Sequence, residues 1–271
     1  MSFQSSLSGI NAASQKLDVI GVNVANAETV GFKESTARFA DIYISKAYDG
    51  QTGSGSLSLK LSQQFTQGDL KQSDDVLNVA ISGKGFFQVM SPDGSLSYTR
   101  NGQFHVNKDN YLMTPDGDKV MGADGPIQID MVKYGGTLRI GENGLIQGSD
   151  GVARGPDKVI PDPVNIGKTV TIAGDLIYQD IGTFQLHNFR NINGLVPVGD
   201  NKWAESNATG ARVSGDPGAG ILGLVQGGAM EGSNADLNDN LVNMIIAQRE
   251  FQGNSQILKV QIDMDLSLAK L

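Results

Sequence analysis

The chain has 271 residues, a net charge of −8, 35 glycines and no cysteine. This length allows one large domain or two modest ones, and the glycine content favours a turn-rich body over a helical bundle. The absence of cysteine excludes disulfides, thiolate metal sites and cysteine nucleophiles, and the lack of any lysine or arginine block argues against a nucleic-acid partner.

The first residues, MSFQSSLSGINAAS, show none of the features of a cleaved secretory signal. They contain no basic leader, no continuous apolar stretch and no small-residue cleavage site. No apolar run elsewhere approaches the roughly 20 residues that a helix needs to cross a bilayer. We therefore expect no cleaved signal peptide and no membrane insertion.

The N-terminal segment carries a heptad pattern that predicts a long amphipathic helix. Leu7 widens the apolar stripe, and the pattern continues for about 26 residues. One row of the heptad is large and the other is mostly small. The large row is Phe3, Ile10, Leu17 and Val24, and the second row is Ser6, Ala13, Ile20 and Ala27.

A second heptad pattern occupies the other end of the chain and predicts another long helix. Asn234 or Asp236 is expected to cap its N-terminus. Gly253 is the one residue that weakens it, while Gln248 and Ser255 lie in the apolar seam and are expected to fix register. The main row is Leu237, Met244, Phe251 and Leu258, flanked by Leu241, Ile245, Ile262 and Leu266.

Between the two ends the hydrophobic period changes to that of short strands. The stretches YTRNGQFHV, GPIQIDM, GTLRIGENGLIQG and GTFQLHNF read as strands, and Asp-Gly or Asn-Gly pairs suited to hairpin turns separate them. We expect an antiparallel β domain over residues 77–229. Residues 34–76 are rich in glycine, serine and glutamine, which indicates a partly extended connecting arm or, alternatively, a floppy linker.

The predicted architecture is thus α+β, with terminal helices forming a coiled-coil-like inner domain from residues 1–33 and 230–271. The two helices are expected either to pair within one chain or to pack against other copies. A lone two-helix hairpin would leave much apolar surface in water, which favours packing between copies.

Three ordered blocks resemble the bacterial flagellar axial proteins, the rod and hook subunits. The stretch LDVIGVNVANAETVGFK, which includes Asn26, is similar to their N-terminal signature, and EGSNADLNDNLVNMIIAQREFQGNSQILK is similar to their closing motif. The block LNVAISGKGFFQV followed by YTRNGQF resembles the start of their β domain. Departures from the family pattern are Val22, Asn78 and Asn110.

The resemblance implies a structural subunit without enzymatic activity. The short connection TGSGSLSLKLSQQFTQG and the motifs SGINAAS and LDVIG look more like a short hook protein, which polymerises into a hollow curved tube that transmits torque. The alternative is a proximal or distal rod protein. Implied partners are copies of the same chain, other axial proteins of the rod, hook–filament junction and hook cap, and the type III export apparatus, with a location in the hook or the basal body.

The residues offer no convincing chemistry, and we expect no catalytic residue, cofactor or metal. His105 and His187 lack metal-ligand spacing, and the Asp116-Gly-Asp118 stretch does not complete a calcium loop. The assembly interface is expected at Phe3, Leu7, Ile10, Ala13, Leu17, Ile20, Val24, Asn26, Leu237, Leu241, Met244, Ile245, Phe251, Leu258 and Ile262. A rival interpretation is a secreted ligand-binding or hydrolytic β protein whose helices clasp a dimer.

Overall fold

The structure, a computed structural model, describes residues 3–42, 56–134, 137–149, 158–161, 169–172 and 178–268. The chain divides into two compact units. Unit 1 comprises Met1–Gly68 and Ser233–Leu271, and unit 2 comprises Asp69–Gly232. The domain boundaries predicted from the sequence were 33/34, 76/77 and 229/230. Residues 43–55 of the predicted arm lie outside the described part of the chain.

The described residues contain three α-helices and 21 short strands, joined by turns and loops. The helices are α1 (Phe3–Ala25), α2 (Met131–Tyr134) and α3 (Leu237–Leu268), and a 3-10 turn covers Ile192–Gly194. The strands are β1 (Ser35–Ile42), β2 (Ser56–Gln63), β3 (Leu70–Gln72), β4 (Val79–Ser82), β5 (Phe86–Met90), β6 (Leu96–Thr99), β7 (His105–Val106), β8 (Leu112–Met113), β9 (Lys119–Gly122), β10 (Gly125–Pro126), β11 (Leu138–Ile140), β12 (Leu145–Gly148), β13 (Lys158–Pro161), β14 (Thr169–Ile172), β15 (Gln179–Thr183), β16 (Leu186–Phe189), β17 (Val196–Gly199), β18 (Lys202–Ala204), β19 (Arg212–Gly215), β20 (Leu224–Gly227) and β21 (Ala229–Glu231).

Unit 1 contains the two long helices and one β-hairpin. Strands β1 and β2 pair antiparallel from Ser35 opposite Gln63 to Ile42 opposite Ser56. Helix α3 begins where the sequence predicted a cap, and the structure selects Asp236 over Asn234. The Asp236 carboxylate accepts hydrogen bonds from the backbone N–H groups of Asn238 at 2.7 Å and Asp239 at 3.2 Å, which satisfies two of the donors that a helix start leaves free.

Unit 2 is built around a ten-stranded sheet. Its main path runs β17-β18-β6-β5-β9-β8-β7, and β10, β16 and β19 pair off this path. Every pairing among the described strands is antiparallel, so the predicted α+β class with terminal helices and antiparallel strands is confirmed. Two predicted turn glycines, Gly117 and Gly144, adopt positive φ angles of 91° and 76°, as tight hairpin turns require.

The hydrophobic core of unit 2 consists of buried side chains from these strands and the loops between them. Phe87 packs edge-on against Phe104, with ring centroids 5.3 Å apart, and Trp203 packs edge-on against Phe86 at 5.8 Å. Most of the buried hydrophobic cluster is aliphatic. The buried members are Val79, Ile81, Phe87, Val89, Phe104, Leu112, Val120, Ile127, Ile129, Ile146, Phe184, Leu186, Leu222 and Val225.

One predicted strand is shorter than expected. The stretch GPIQIDM forms a strand only at Gly125–Pro126, and a helical turn begins at Met131. The cause is Asp130, whose carboxylate accepts hydrogen bonds from the N–H groups of Val132 at 3.0 Å and Lys133 at 3.2 Å. This local capping interaction favours a helical turn over continued pairing.

Candidate assembly surface

Helices α1 and α3 pack against each other in antiparallel orientation. Residues near the start of α1 meet residues near the end of α3, and the order reverses toward the other end. Side-chain contacts mark the register, namely Ser6 Oγ with Gln261 Oε1 at 3.4 Å, Lys16 Nζ with Glu250 Oε2 at 3.1 Å, and Asn23 Nδ2 with Asn240 Oδ1 at 3.3 Å.

The interface between the two helices uses small and polar residues. Among the described side chains of α1 the most deeply buried are Ser6, Ala13, Ile20 and Asn23. The first three belong to the row that the sequence identified as mostly small. On α3 they are Asn240 and Ala247. A Cβ atom on Gly9 would lie 2.8 Å from Asn254 Nδ2, so the helices approach closely at this point.

The large apolar side chains of α3 remain in contact with water. They are between 36% and 57% exposed and extend along the whole helix. At about 100° per residue these side chains spread over roughly two thirds of the helix circumference. Apolar surface of this extent is unusual on a soluble monomer and is typical of an interaction surface. The residues are Leu237, Leu241, Val242, Ile245, Ile246, Phe251, Ile257, Val260, Ile262, Met264 and Leu266.

A groove of about 540 Å³ lies on one side of α3, within this exposed surface. Gly253 forms one end of it, and a Cβ atom at that position would meet no other atom within 4 Å. Glycine in an exposed helix interior costs about 1 kcal/mol relative to alanine. The groove is lined by Gly253, Gln256, Ile257, Val260, Gln261 and Met264.

The predicted interface residues fall into three groups. Ala13 and Ile20 are buried. Partly exposed side chains are Ile10, Leu17, Val24, Asn26, Met244 and Leu258, and clearly exposed ones are Leu7, Leu237, Leu241, Ile245, Phe251 and Ile262. Phe3 lies in α1, and its side chain lies outside the described part of the structure. Asn26 donates a hydrogen bond to the Val22 carbonyl at 2.9 Å and accepts one from Thr29 Oγ1 at 3.1 Å, which stabilises the turn that ends α1.

The N-terminal and closing motifs meet at a polar junction, which we define as Asn23, Glu34, Thr66, Asn234 and Asn240. The Asn240 side chain donates to the Glu34 carboxylate at 3.1 Å, and Asn23 exchanges two hydrogen bonds with the backbone of Ser35 at 2.9 and 3.0 Å. Asn234 accepts from the Glu34 N–H at 2.7 Å and donates to Thr66 Oγ1 at 2.8 Å. Pattern reasoning missed this junction because its partners are far apart in sequence.

Lys33 extends the junction into the interior of unit 1. Its side chain is only 1% exposed, and its ammonium group donates to the Thr66 carbonyl at 2.7 Å. Buried charged groups need such partners to offset the loss of hydration. The Gly-Phe-Lys end of the N-terminal motif is thus explained by the packing that follows α1, where Phe32 is also buried.

Unit 2 contains a buried ion pair that the sequence did not reveal. Arg100 and Glu231 lie 2.9 Å apart with side chains 6% and 0% exposed. Arg100 also donates to the Gly83 carbonyl at 2.8 Å and lies 5.3 Å from the centre of the Phe86 ring. Burial lowers the pKa of Arg100, and the adjacent Glu231 carboxylate opposes that shift. This arrangement holds strands together and offers no open site for a substrate.

The carboxylates that superficially resemble a calcium loop surround a lysine instead. Lys202 Nζ lies 2.7 Å from Asp118, 3.6 Å from Asp200 and 3.9 Å from Asp116. Burial alone lowers the pKa of Lys202, but the hydrogen bond and charge of Asp118, together with the other two carboxylates, outweigh burial and raise it. Among the residues that the structure describes, no group of acidic or histidine side chains forms a metal site.

His187 is a buried histidine inside the sheet. Its Nδ1 lies 2.8 Å from Ser214 Oγ, its ring packs edge-on against Tyr98, and Nε2 has no hydrogen-bond partner within the described ranges. Burial, with a smaller contribution from the charge of Arg212, lowers the pKa of His187 to about 4. The ring is therefore neutral near pH 7 and packs as a core residue. His105, the other histidine, is exposed in β7.

No described helix is long and apolar enough to span a bilayer.

Comparison with known families identifies all three sequence blocks. A family model described as "Flagella basal body rod protein" matches residues 3–33, "Flagellar hook protein FlgE/F/G D1 domain" matches residues 80–175, and "Flagellar basal body rod FlgEFG protein C-terminal" matches residues 226–271. The first of these ranges contains Asn23 and the third contains Asn234 and Asn240, which are three of the five residues of the polar junction.

Individual relatives extend over nearly the whole chain. The flagellar basal-body rod protein FlgG of Bacillus subtilis is 33% identical over 95% of this chain and 93% of its own length. FlgG of Buchnera aphidicola from Schizaphis graminum is 31% identical over 98% and 97%, and the flagellar hook protein FlgE of Salmonella typhimurium is 27% identical over 96% and 97%. The chain therefore belongs to the flagellar rod and hook axial protein family, whose members are structural proteins of the flagellum and not enzymes.

Proposed function

We propose that this chain is a structural subunit of the flagellar hook, which polymerises into a hollow curved helical tube and transmits torque from the rod to the filament. The observation that carries the proposal is the apolar surface of α3, which α1 leaves exposed along the whole length of the helix. Completing the burial of half-exposed side chains of this kind stabilises an interface by about 1 kcal/mol each.

In the assembly, α1 and α3 of many copies form an inner coiled-coil-like layer around the channel, and the β units lie outside it. Contacts between different faces of successive copies do not close, so they generate a helical filament. The terminal segments order fully as each copy adds, since helices in proteins gain most of their stability from packing against neighbours. Low order before assembly suits passage through a type III export channel.

Rod protein is the second candidate, and the alignment lengths favour it. FlgG of Buchnera aphidicola aligns over 280 positions, whereas FlgE of Salmonella typhimurium needs 396 positions to cover a similar share of this chain. The hook relative therefore contains long segments with no counterpart here. The short connection after α1 and the SGINAAS motif support the hook.

Other axial proteins complete the proposed set of partners. A hook subunit contacts the rod below it, and the hook cap and the hook–filament junction above it, whereas a rod subunit lies within the periplasmic part of the basal body. The same exposed face of α3 serves copies of this chain and these neighbours, because a continuous inner layer requires similar helix contacts at each junction.

Electron microscopy of the full-length protein at high concentration tests the proposal. Curved tubes support the hook, straight tubes support the rod, and monodisperse particles at every concentration contradict both. Ile245→Asp, on the exposed face of α3, is expected to abolish tubes. Val198→Asp, at an equally exposed valine of β17 in unit 2, is the matched control and is expected to leave them intact.

A further inference from the structure

The faces of α1 and α3 that point away from each other carry matching strips. On α1 we define the outer strip as five exposed residues spaced by 4, 4, 3 and 4 positions, namely Leu7, Asn11, Gln15, Asp18 and Val22. Read in the opposite direction, α3 carries five exposed residues with the same spacing. This second strip is Val260, Gln256, Gln252, Arg249 and Ile245.

The two strips are complementary in chemistry when the helices run antiparallel. At the two ends of the strips, Leu7 faces Val260 and Val22 faces Ile245. Between them, the amides of Asn11 and Gln15 face those of Gln256 and Gln252. Asp18 faces Arg249, which places opposite charges together. Among the residues that the structure describes, neither of these two side chains makes an ion pair within its own chain, so both are available to a partner.

Both strips lie on the side of their helix opposite the intrachain interface. At about 100° per residue, the outer strip of α3 is centred roughly 180° from the row that contains Ala247, and the strip of α1 is similarly opposed to Ala13. The two strips of one chain therefore cannot contact each other. A second copy can, because it brings an identical pair of helices.

The register of the two strips matches the register inside the chain. Within one chain Ser6 contacts Gln261 and Lys16 contacts Glu250. The strips pair Leu7 with Val260 and Asp18 with Arg249, which is the same alignment of the two helices to within one residue. Leu7, which is 42% exposed, then enters the groove beside Val260.

We propose that α1 of a second copy docks antiparallel on the outer strip of α3, so that each α3 lies between its own α1 and that of a neighbour. This contact rests on the proposed polymerisation and specifies its partner segment and register. The outer strip of the first chain's α1 remains free to bind a third copy. The contact is heterologous and repeats without closing.

A charge-reversal experiment tests the pairing of Asp18 with Arg249. Asp18→Lys and Arg249→Glu each place like charges together, and each is expected to raise the critical concentration for polymerisation on the order of tenfold. The double variant restores the opposite-charge pair and is expected to return to within about twofold of the wild type. Asp109→Lys, at an exposed β-unit carboxylate, changes the net charge by the same amount as Asp18→Lys and is expected to have little effect.

A cross-linking experiment tests the register directly, because the chain has no cysteine. Chains carrying Leu7→Cys, mixed with chains carrying Val260→Cys and oxidised with copper phenanthroline, are expected to form a disulfide-linked dimer. Chains carrying Val198→Cys replace the second partner as the control. Tubes that form without this cross-link, or single charge variants that assemble like the wild type, overturn the docking contact alone. A wild-type protein that never polymerises overturns the proposed function.

Discussion

The ion pair between Arg100 and Glu231 is predicted to be a major determinant of unit 2 stability. Glu231→Ala leaves the Arg100 guanidinium buried without its carboxylate, and breaking such a pair costs about 3–5 kcal/mol. For a unit that spans Asp69–Gly232, each kcal/mol lowers the melting temperature by about 2–4 °C. The expected fall is therefore about 6–20 °C, measured by differential scanning calorimetry.

Two further variants make this prediction specific. The double variant Arg100→Met with Glu231→Leu removes both charges, and it is expected to recover most of the loss because apolar replacements of buried pairs are often neutral. Glu250→Ala removes an ion pair whose side chains are 34% and 48% exposed, and it is expected to cost at most about 1 kcal/mol. A fall below about 2 °C for Glu231→Ala would refute the reasoning.

Three more predictions concern single residues. The pKa of His187 is about 4 in the fold and near 6.5 in an unfolded chain, so the unfolded chain binds the proton more tightly and stability falls as the pH drops through this window. Between pH 7 and pH 5 the unfolding free energy of His187→Phe is therefore expected to fall by about 1–2 kcal/mol less than that of the wild type. Urea titrations at the two pH values measure this difference. Asp236→Ala is expected to cost about 1 kcal/mol of helix stability, seen as reduced ellipticity at 222 nm on heating. Gly102→Ala would place a Cβ atom 1.6 Å from the Val79 carbonyl oxygen and is expected to cost more than about 3 kcal/mol, measured as a shift in the urea midpoint.

Matched controls separate these effects from nonspecific ones. His105→Phe alters an exposed histidine and should keep the wild-type pH dependence. If it flattens the dependence as much as the His187 variant, burial is not the cause. Asp236→Asn retains a capping oxygen and should stay near wild type. Gly253→Ala meets open space and should stabilise α3, and a Gly102→Ala protein as stable as this control would contradict the close backbone approach.

The sequence was most informative where a feature repeats along the chain. The heptads placed both terminal helices, and local turn chemistry placed several hairpins, because these patterns involve residues a few positions apart. The cap at Asp236 lies three residues before Asp239, whose N–H it accepts. The alternation of apolar residues also marked strands such as β16, although it gave no information on which strands pair.

The features that the sequence did not predict depend on contacts between distant residues. Glu34 bonds to Asn240 and Arg100 to Glu231, and no spacing rule connects positions that only the tertiary fold brings together. The heptad rows also did not indicate which row faces the chain's own partner helix. Ala13 is buried while the larger Leu17 stays partly exposed, because close helix packing at Gly9 admits small side chains.

The first and last residues of unit 2 lie side by side in space. The Gly232 N–H donates to the Asp69 carbonyl at 2.8 Å, and β21 pairs with β3 directly beside this bond. Such adjacency is the geometry in which one domain is inserted into another with least disturbance to its host. The inserted unit can therefore be exchanged or enlarged between two fixed attachment points without moving the ends of its host.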